Sequence, residues 1–298
     1  MILGRRLEGF TEALGDAAGA LLPLSVQSLQ RELRARLRRV PNEINEFGFD
    51  PYGMNPEWLA RAALPALLLY RHYFRVETFD IDRVPSGRVL LVANHAGQLP
   101  FDGVMIILSL LLEAELPRLC RGMGEHWLPR LPWINVMLSR GGMLVGTPKN
   151  CTHMLENEEC VLVFPEGARG MSKPFSERYR LQRFGLGFLR LALETRTPII
   201  PVGVVGSEEQ QPGLANLERL GSMFGLPSLP ITLGFPWLGP LGLLPLPTRY
   251  RIYFGEPLHF SGEASDEDAL VEERVGVVRN AIGELLQRGL REREGWFR

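Results

Sequence analysis

The stretch Arg88-Val89-Leu90-Leu91-Val92-Ala93-Asn94-His95-Ala96-Gly97-Gln98-Leu99-Pro100-Phe101-Asp102-Gly103 decides the fold. Its first six residues, Arg88–Ala93, hold an apolar run of five behind the turn Pro85-Ser86-Gly87, the signature of a buried strand. The segment Val104 to Glu115 that follows reads as a helix. A strand that feeds a helix through a short polar loop is the unit of an α/β sheet.

Working outward, the same alternation continues. Arg75–Phe79, Arg118–Arg121, Met143–Val145, Cys160–Phe164, Pro198–Val205 and Arg249–Phe254 read as strands. His126–Leu138, Asn150–Glu156 and Gln182–Glu194 read as helices, the second capped by Thr147. Asp266–Gln287 reads as an amphipathic helix opened by Ser265, with Glu267 and Asp268 in its first turn. The expected fold is α/β, a mixed central sheet flanked by helices. Residues 1–70 are expected to form an N-terminal helical, membrane-associating extension, and residues 71–298 the α/β domain. There is no internal repeat.

The 298 residues carry a formal net charge of -1, with 45% hydrophobic and 22% charged residues, which excludes a disordered or fibrous chain. The near-neutral balance argues against a nucleic-acid partner. Three cysteines, Cys120, Cys151 and Cys160, show no metal spacing and fit a reducing compartment. There are 31 arginines and only two lysines, Lys149 and Lys173, a bias that genome composition explains.

Met1–Gly15 has no apolar run of the kind a secretory signal needs, so none is expected there. The apolar run Gly103–Leu112 has ten residues, against the ~20 that cross a bilayer. The uncharged run Leu220–Thr248 is longer, at 29 residues, but six prolines and five glycines forbid a continuous helix, so it reads as irregular and non-spanning. Residues 8–40 read as a helix with Leu29, Leu33 and Leu37 on one side and Arg31, Arg34, Arg36, Arg38 and Arg39 crowding its end. That is either a membrane-lying basic helix or an ordinary solvated face. Residues 41–56 read as a loop. Glu57–Arg71 reads as a helix kinked at Pro65, either buried or dipped in lipid.

Four segments carry candidate chemistry. In the first, His95 follows a buried strand and Asp102 stands seven residues later, where a helix begins. Two readings fit. Either the carboxylate holds one ring nitrogen and leaves the other to take a proton from a hydroxyl, with Gly97 admitting a substrate to the backbone, or Asp102 is a helix cap and His95 a satisfied core residue. In the second, the strand Val161–Phe164 ends in Pro165-Glu166-Gly167-Ala168-Arg169, which is either a grip for a polyol or phosphate or a turn with a surface ion pair. The third, Arg140–Lys149, places glycines, a hydroxyl and a cation before a helix. The fourth, Thr197–Gly206, is a core strand or a pocket wall.

Taken in order, Asn94-His95…Asp102, the glycine-rich block, Phe164-Pro165-Glu166-Gly167-x-Arg169 and Thr197-Pro198-Ile199-Ile200-Pro201-Val202 resemble the glycerolipid acyltransferase family, typified by lysophosphatidate acyltransferases. The resemblance covers residues 70–210, and the part from Gly203 to Leu258 is similar to a branch that includes neutral-lipid acyltransferases. It implies transfer of a fatty acyl group from acyl-CoA or acyl carrier protein to a glycerolipid hydroxyl, without metal or redox cofactor. It implies His95 as general base, Asp102 as its orienting partner, and Glu166, Gly167 and Arg169 as acceptor-binding residues, with Asn94, Gly97, Gln98 and Pro165 beside them.

The sequence departs from the family pattern twice. Six residues separate His95 from Asp102 where the family has four, and Leu144–Lys149 replaces a Phe-x-x-Arg block that grips the acceptor phosphate. Either Lys149 or Arg140 supplies that cation, or the acceptor carries no phosphate. The leading expectation is lysophosphatidate or a related lysophospholipid as acceptor, and the alternative is a neutral mono- or diacylglycerol or alcohol. A further alternative is a non-catalytic lipid-binding protein on the same fold. An ester hydrolase would need an activated nucleophile, and no Gly-x-Ser-x-Gly elbow occurs. A lipid acceptor implies a membrane surface as partner and a monotopic or peripheral, cytoplasm-facing location. The oligomeric state is not legible.

Overall fold

In the computed structural model, residues 24–297 are described, apart from 42, 98, 126–133, 218–228 and 233. Val89–Ala93 forms strand β2, and all five of its residues are buried. A strand covered on both faces needs apolar side chains throughout, which is why the run is continuous. Val89, Leu91 and Ala93 point to one face and Leu90 and Val92 to the other.

The remaining strands are β1 (Glu77–Phe79), β3 (Cys120–Gly124), β4 (Leu144–Val145), β5 (Cys160–Val163), β6 (Ile199–Val205), β7 (Gly213–Leu217), β8 (Leu229–Thr232) and β9 (Arg251–Phe254). The helices are α1 (Leu24–Leu37), α2 (Pro56–Ala62), α3 (Leu64–Leu68), α4 (Phe101–Leu112), α5 (Ile134–Arg140), α6 (Pro148–Glu156), α7 (Ala168–Ser172), α8 (Gly187–Thr195) and α9 (Asp268–Glu292). The main sheet has seven strands in the order β1-β9-β6-β2-β5-β3-β4. Strands β6, β2, β5, β3 and β4 run parallel, and β9 enters antiparallel to β6. The sheet is therefore mixed, as expected. The parallel strands all end at one edge, the edge where α/β sheets build their sites.

One face is covered by α1–α4, with Leu33, Leu67, Tyr70, Phe74, Ile106 and Leu110 in its core. The other is covered by α6, α8 and α9, through Met154, Leu189, Val275, Val278 and Ile282. The leucines of α1 thus face protein. Two of its flanking arginines also have local work: Arg36 and Arg39 donate to Ala114 O and Glu115 O, both at 2.9 Å, where α4 ends. Cations at a carbonyl-rich helix end offset the macrodipole. Arg71 fastens the layer by pairing with Glu32 at 2.9 Å and Glu113 at 2.6 Å. Among the described residues no helix is long and apolar enough to cross a membrane.

Several boundaries differ from expectation. The helix expected from Gln182 begins at Gly187, because Gln182 N donates to the Glu166 carboxylate at 2.7 Å and Gly185 N to Pro165 O at 3.0 Å. These bonds hold the preceding segment out of the helix. The last helix begins at Asp268 with Glu267 at its N-cap, not Ser265. Asp266 is drawn away by Arg274 at 2.9 Å, which keeps residues 263–266 in a turn. Thr147 does cap its helix, accepting from Asn150 N at 3.1 Å. The kink at Pro65 separates α2 from α3. Part of the Leu220–Thr248 run is ordered as β8, paired antiparallel with β7. The start of the expected helix His126–Leu138 lies outside the described residues, as do Met1–Gly15 and Gln98.

Candidate active site

His95 sits just past the end of β2, with its side chain almost buried. Its Nδ1 lies 2.8 Å from Oδ2 of Asp102, a fully buried residue in the first turn of α4. The same Oδ2 accepts from Ala96 N at 2.9 Å, and Oδ1 accepts from Gly103 N at 2.8 Å. The N-cap position is Pro100, which makes no side-chain cap bond, so Asp102 partners the histidine from inside the first turn. A carboxylate can only accept, so Nδ1 carries the proton and Nε2 keeps its lone pair. The six-residue loop reaches this geometry through Gly97, whose φ of +83° is a conformation that L side chains rarely adopt.

The ring of His95 is packed on one face, and its backbone is closely approached. Phe164 stacks on it with centroids 4.0 Å apart and planes 20° apart. Gly170 lies against its backbone, where an added Cβ would sit 2.8 Å from His95 O. Glu166 is buried, and its two oxygens accept from His95 N at 3.1 Å and Gln182 N at 2.7 Å. It joins the loop after β2 to the loop after β5. Gly167 opens α7 at φ +56° and ψ -148°. Pro165 contributes its carbonyl to Gly185 N.

The other predicted residues divide in two. Asn94 is fully buried and pairs with β6, donating to Val204 O at 3.1 Å and accepting from Val204 N at 2.8 Å. Its amide continues the β2–β6 ladder with a side chain in place of a peptide. Arg169 is exposed on α7 and donates to Arg183 O at 3.3 Å. Arg140 and Lys149 flank β4, three strands from β2, or about 14 Å across the sheet. The structure does not bring them to His95.

The sequence reading passed over the run Ser207-Glu208-Glu209-Gln210-Gln211, which follows β6 directly and is buried throughout. Glu208 pairs with Lys173 at 2.8 Å, both nearly inaccessible to solvent. Burial pushes the Glu208 carboxyl up to about 7, against the pull of Lys173. Glu209 takes Arg293 at 2.6 Å and the Tyr179 hydroxyl. Gln210 accepts from the Tyr250 hydroxyl at 2.5 Å, and its amide lies over Gly97. A run of polar residues reads as a solvated loop. The available signal was its position, directly behind a strand of seven buried residues.

The arrangement suits abstraction of a proton from a hydroxyl by Nε2. Replacing Asp102 by asparagine sets an NH2 group either against both Nδ1 and the Ala96 amide, which favours the wrong tautomer, or against the Gly103 amide. Turnover is expected to fall about 10²–10⁴-fold, read from initial rates of thiol release. A folded Asp102→Asn protein within threefold of wild type would remove the carboxylate from the chemistry.

A family model described as Acyltransferase matches residues 75–205. An uncharacterized protein of Mycobacterium tuberculosis is 38% identical over 98% of this chain and 82% of its own length. A mouse protein named DGAT1/2-independent enzyme synthesizing storage lipids is 22% identical, over 71% of this chain and 60% of its own. In fold, the chain is similar to the crystal structure of the 1-acyl-sn-glycerophosphate (LPA) acyltransferase PlsC from Thermotoga maritima, with a TM-score of 0.51 and 17% identity over 96% of this chain and 90% of that one.

Proposed function

The chain belongs to the glycerolipid acyltransferase family, and on that premise we propose that His95 and Asp102 transfer a fatty acyl group from an acyl thioester to a glycerolipid hydroxyl. The observation that carries this reading is the 2.8 Å bond from Nδ1 to Asp102, which leaves Nε2 free as a base. In the proposed step, Nε2 takes the hydroxyl proton as the oxygen attacks the thioester carbonyl. The tetrahedral oxyanion collapses, the C–S bond breaks, and the imidazolium returns its proton to the leaving thiolate. The donor is acyl-CoA or acyl carrier protein, and the chemistry calls on no cofactor.

Two acceptors fit this step. Lysophosphatidate is supported by Arg169, a cation at the exposed rim of the site. An uncharged acylglycerol is supported by relatives whose name assigns them storage-lipid synthesis. The test offers lysophosphatidate, monoacylglycerol and diacylglycerol in vesicles to purified protein, with both donor types and with His95→Ala as control. Transfer that depends on His95 supports the proposal. No such transfer to any acceptor sinks it and favours a lipid-binding protein.

An acceptor dissolved in a bilayer requires the enzyme to reach a membrane surface. Trp237, Leu238, Leu241 and Leu244 are 77%, 65%, 69% and 65% exposed, too much apolar surface in one short stretch for an ordinary loop. The base of this stretch is fixed near the site, since Tyr73 Oη donates to Pro245 O and Leu246 N donates to Gln210 O, both at 2.6 Å. We infer that this tip enters the lipid interface and sets the site at its surface. Each large apolar side chain buried contributes roughly 1.5–3 kcal/mol. Trp237→Ser with Leu241→Ser is therefore expected to weaken vesicle sedimentation at least about tenfold. Undiminished binding would move the contact elsewhere.

A further inference from the structure

Six residues separate His95 from Asp102, and two of them, Leu99 and Pro100, leave their side chains exposed. With little side-chain packing there, the position of the loop depends on how its backbone is bonded. Gln210 and Gln211 take both polar groups of the Leu99 backbone. Leu99 N donates to Gln211 Oε1 at 3.2 Å, and Gln210 Nε2 donates to Leu99 O at 3.4 Å. Both glutamines are buried. Both also hold the base of the apolar tip at residues 237–244. Gln211 Nε2 donates to Leu243 O, where the 3₁₀ turn Gly239–Leu243 ends, and Gln210 O accepts from Leu246 N at 2.6 Å. We propose that Gln210 and Gln211 are positioning residues that tie the loop between His95 and Asp102 to this tip, so that docking of the tip on lipid sets the loop in its working geometry. The inference rests on His95 as the base of the proposed reaction and on the tip as its lipid contact.

Gln211 joins the two segments through one amide plane. Its oxygen accepts from the loop and its nitrogen donates to the turn, and such bonds weaken steeply when misaligned. A shift of Leu243 O therefore loosens the hold on Leu99. Gln210 cannot follow such a shift. Its Oε1 accepts from the fully buried Tyr250 at 2.5 Å, and its Nε2 lies 2.2 Å from where a Cβ on Gly97 would sit. In water the tip exposes Trp237, Leu238, Leu241 and Leu244, and arrangements that cover them compete with the one that holds Gln211. A lipid interface buries these side chains where they stand and favours the tied arrangement by that difference. Leu99 lies four residues from His95 and three from Asp102, so the tie acts on the segment that joins base and carboxylate. Small displacements there are expensive in rate.

The tie is tested by hydrogen exchange at Leu99, with wild-type protein in solution and on phosphatidylcholine vesicles. Vesicle binding is expected to slow exchange of the Leu99 amide at least about fivefold. Gln211→Asn separates the tie from direct shielding by lipid, because it keeps an amide that is one methylene too short to span both partners. Bound to the same vesicles, it is expected to lose most of the slowing. Should Gln211→Asn not fold, Gln211→Met supplies the same comparison by removing both bonds at nearly equal length. Equal slowing in the folded variant overturns the tie, as does wild-type exchange that vesicle binding leaves unchanged. Wild type that does not bind the vesicles overturns the lipid contact, and this inference with it.

Turnover gives a second readout. Transfer to a water-soluble, short-chain monoacylglycerol is measured with and without acceptor-free vesicles. Vesicles are expected to raise the wild-type kcat at least about fivefold, and that of Gln211→Asn by less than about twofold. A merely structural glutamine would lower both rates alike and keep the wild-type ratio, a result that overturns the tie. No His95-dependent transfer in either setting overturns the reaction, and the exchange measurement then decides the tie alone.

Discussion

Replacing His95 by alanine is expected to lower acyl transfer about 10³-fold or more, while lipid binding survives. Loss of a general base typically costs 10²–10⁴-fold. Among the described residues, the carboxylates that touch the His95 loop are engaged elsewhere. Asp102 is fully buried behind the ring, and both Glu166 oxygens are engaged by backbone amides. The ring fills the space against Phe164, so alanine leaves a void, and His95→Gln serves as the volume-keeping partner. Asp102 keeps its bonds from the Ala96 and Gly103 amides in both variants, so its buried charge is not stranded. The readout is thiol release that depends on added acceptor, with vesicle binding measured on the same samples. If His95→Gln folds and transfers within threefold of wild type, the base is another group.

Glu166→Gln is expected to lower kcat about 10–100-fold, lower the melting temperature by several degrees, and leave the acceptor KM within about threefold. The carboxylate accepts from His95 N and Gln182 N. An amide can accept only one of these, and its NH2 group then faces the other N–H. A buried donor left unpaired costs about 1–3 kcal/mol. That loss falls on the backbone of His95 itself, and small displacements of a base are expensive in rate. Glu166 is thus expected to act as a positioning residue. If it gripped the acceptor directly, as the family resemblance implies, KM would rise and the melting temperature would hold. The two outcomes are separable with one purified variant.

Much of this site is legible along the chain, because its parts are local. The apolar run before His95 requires a strand covered on both faces, and Asp102 falls in the first helical turn, where a carboxylate meets free amides. The Thr147 cap is read in the same way. Where local patterns conflicted with distant contacts, the contacts prevailed. The stretch from Gln182 reads as a helix, yet its amide is taken by Glu166, sixteen residues earlier, and the helix waits for Gly187. The leucines of α1 suit a bilayer as well as a core, and only packing against α3 and α4 shows that they face protein.

Periodicity and motif spacing by themselves determined an α/β sheet and the strand ends that carry His95 and Glu166. Those features depend on neighbours within a few residues. The strand order was decided only by the tertiary structure, which sets β5 and β6 on either side of β2. That order brings Lys173 and Glu208, 35 residues apart, together in a buried ion pair, and leaves Lys149 and Arg140 out by the sheet edge. No local pattern encodes it, because the choice among strand neighbours depends on the free energy of burying whole faces of the sheet at once.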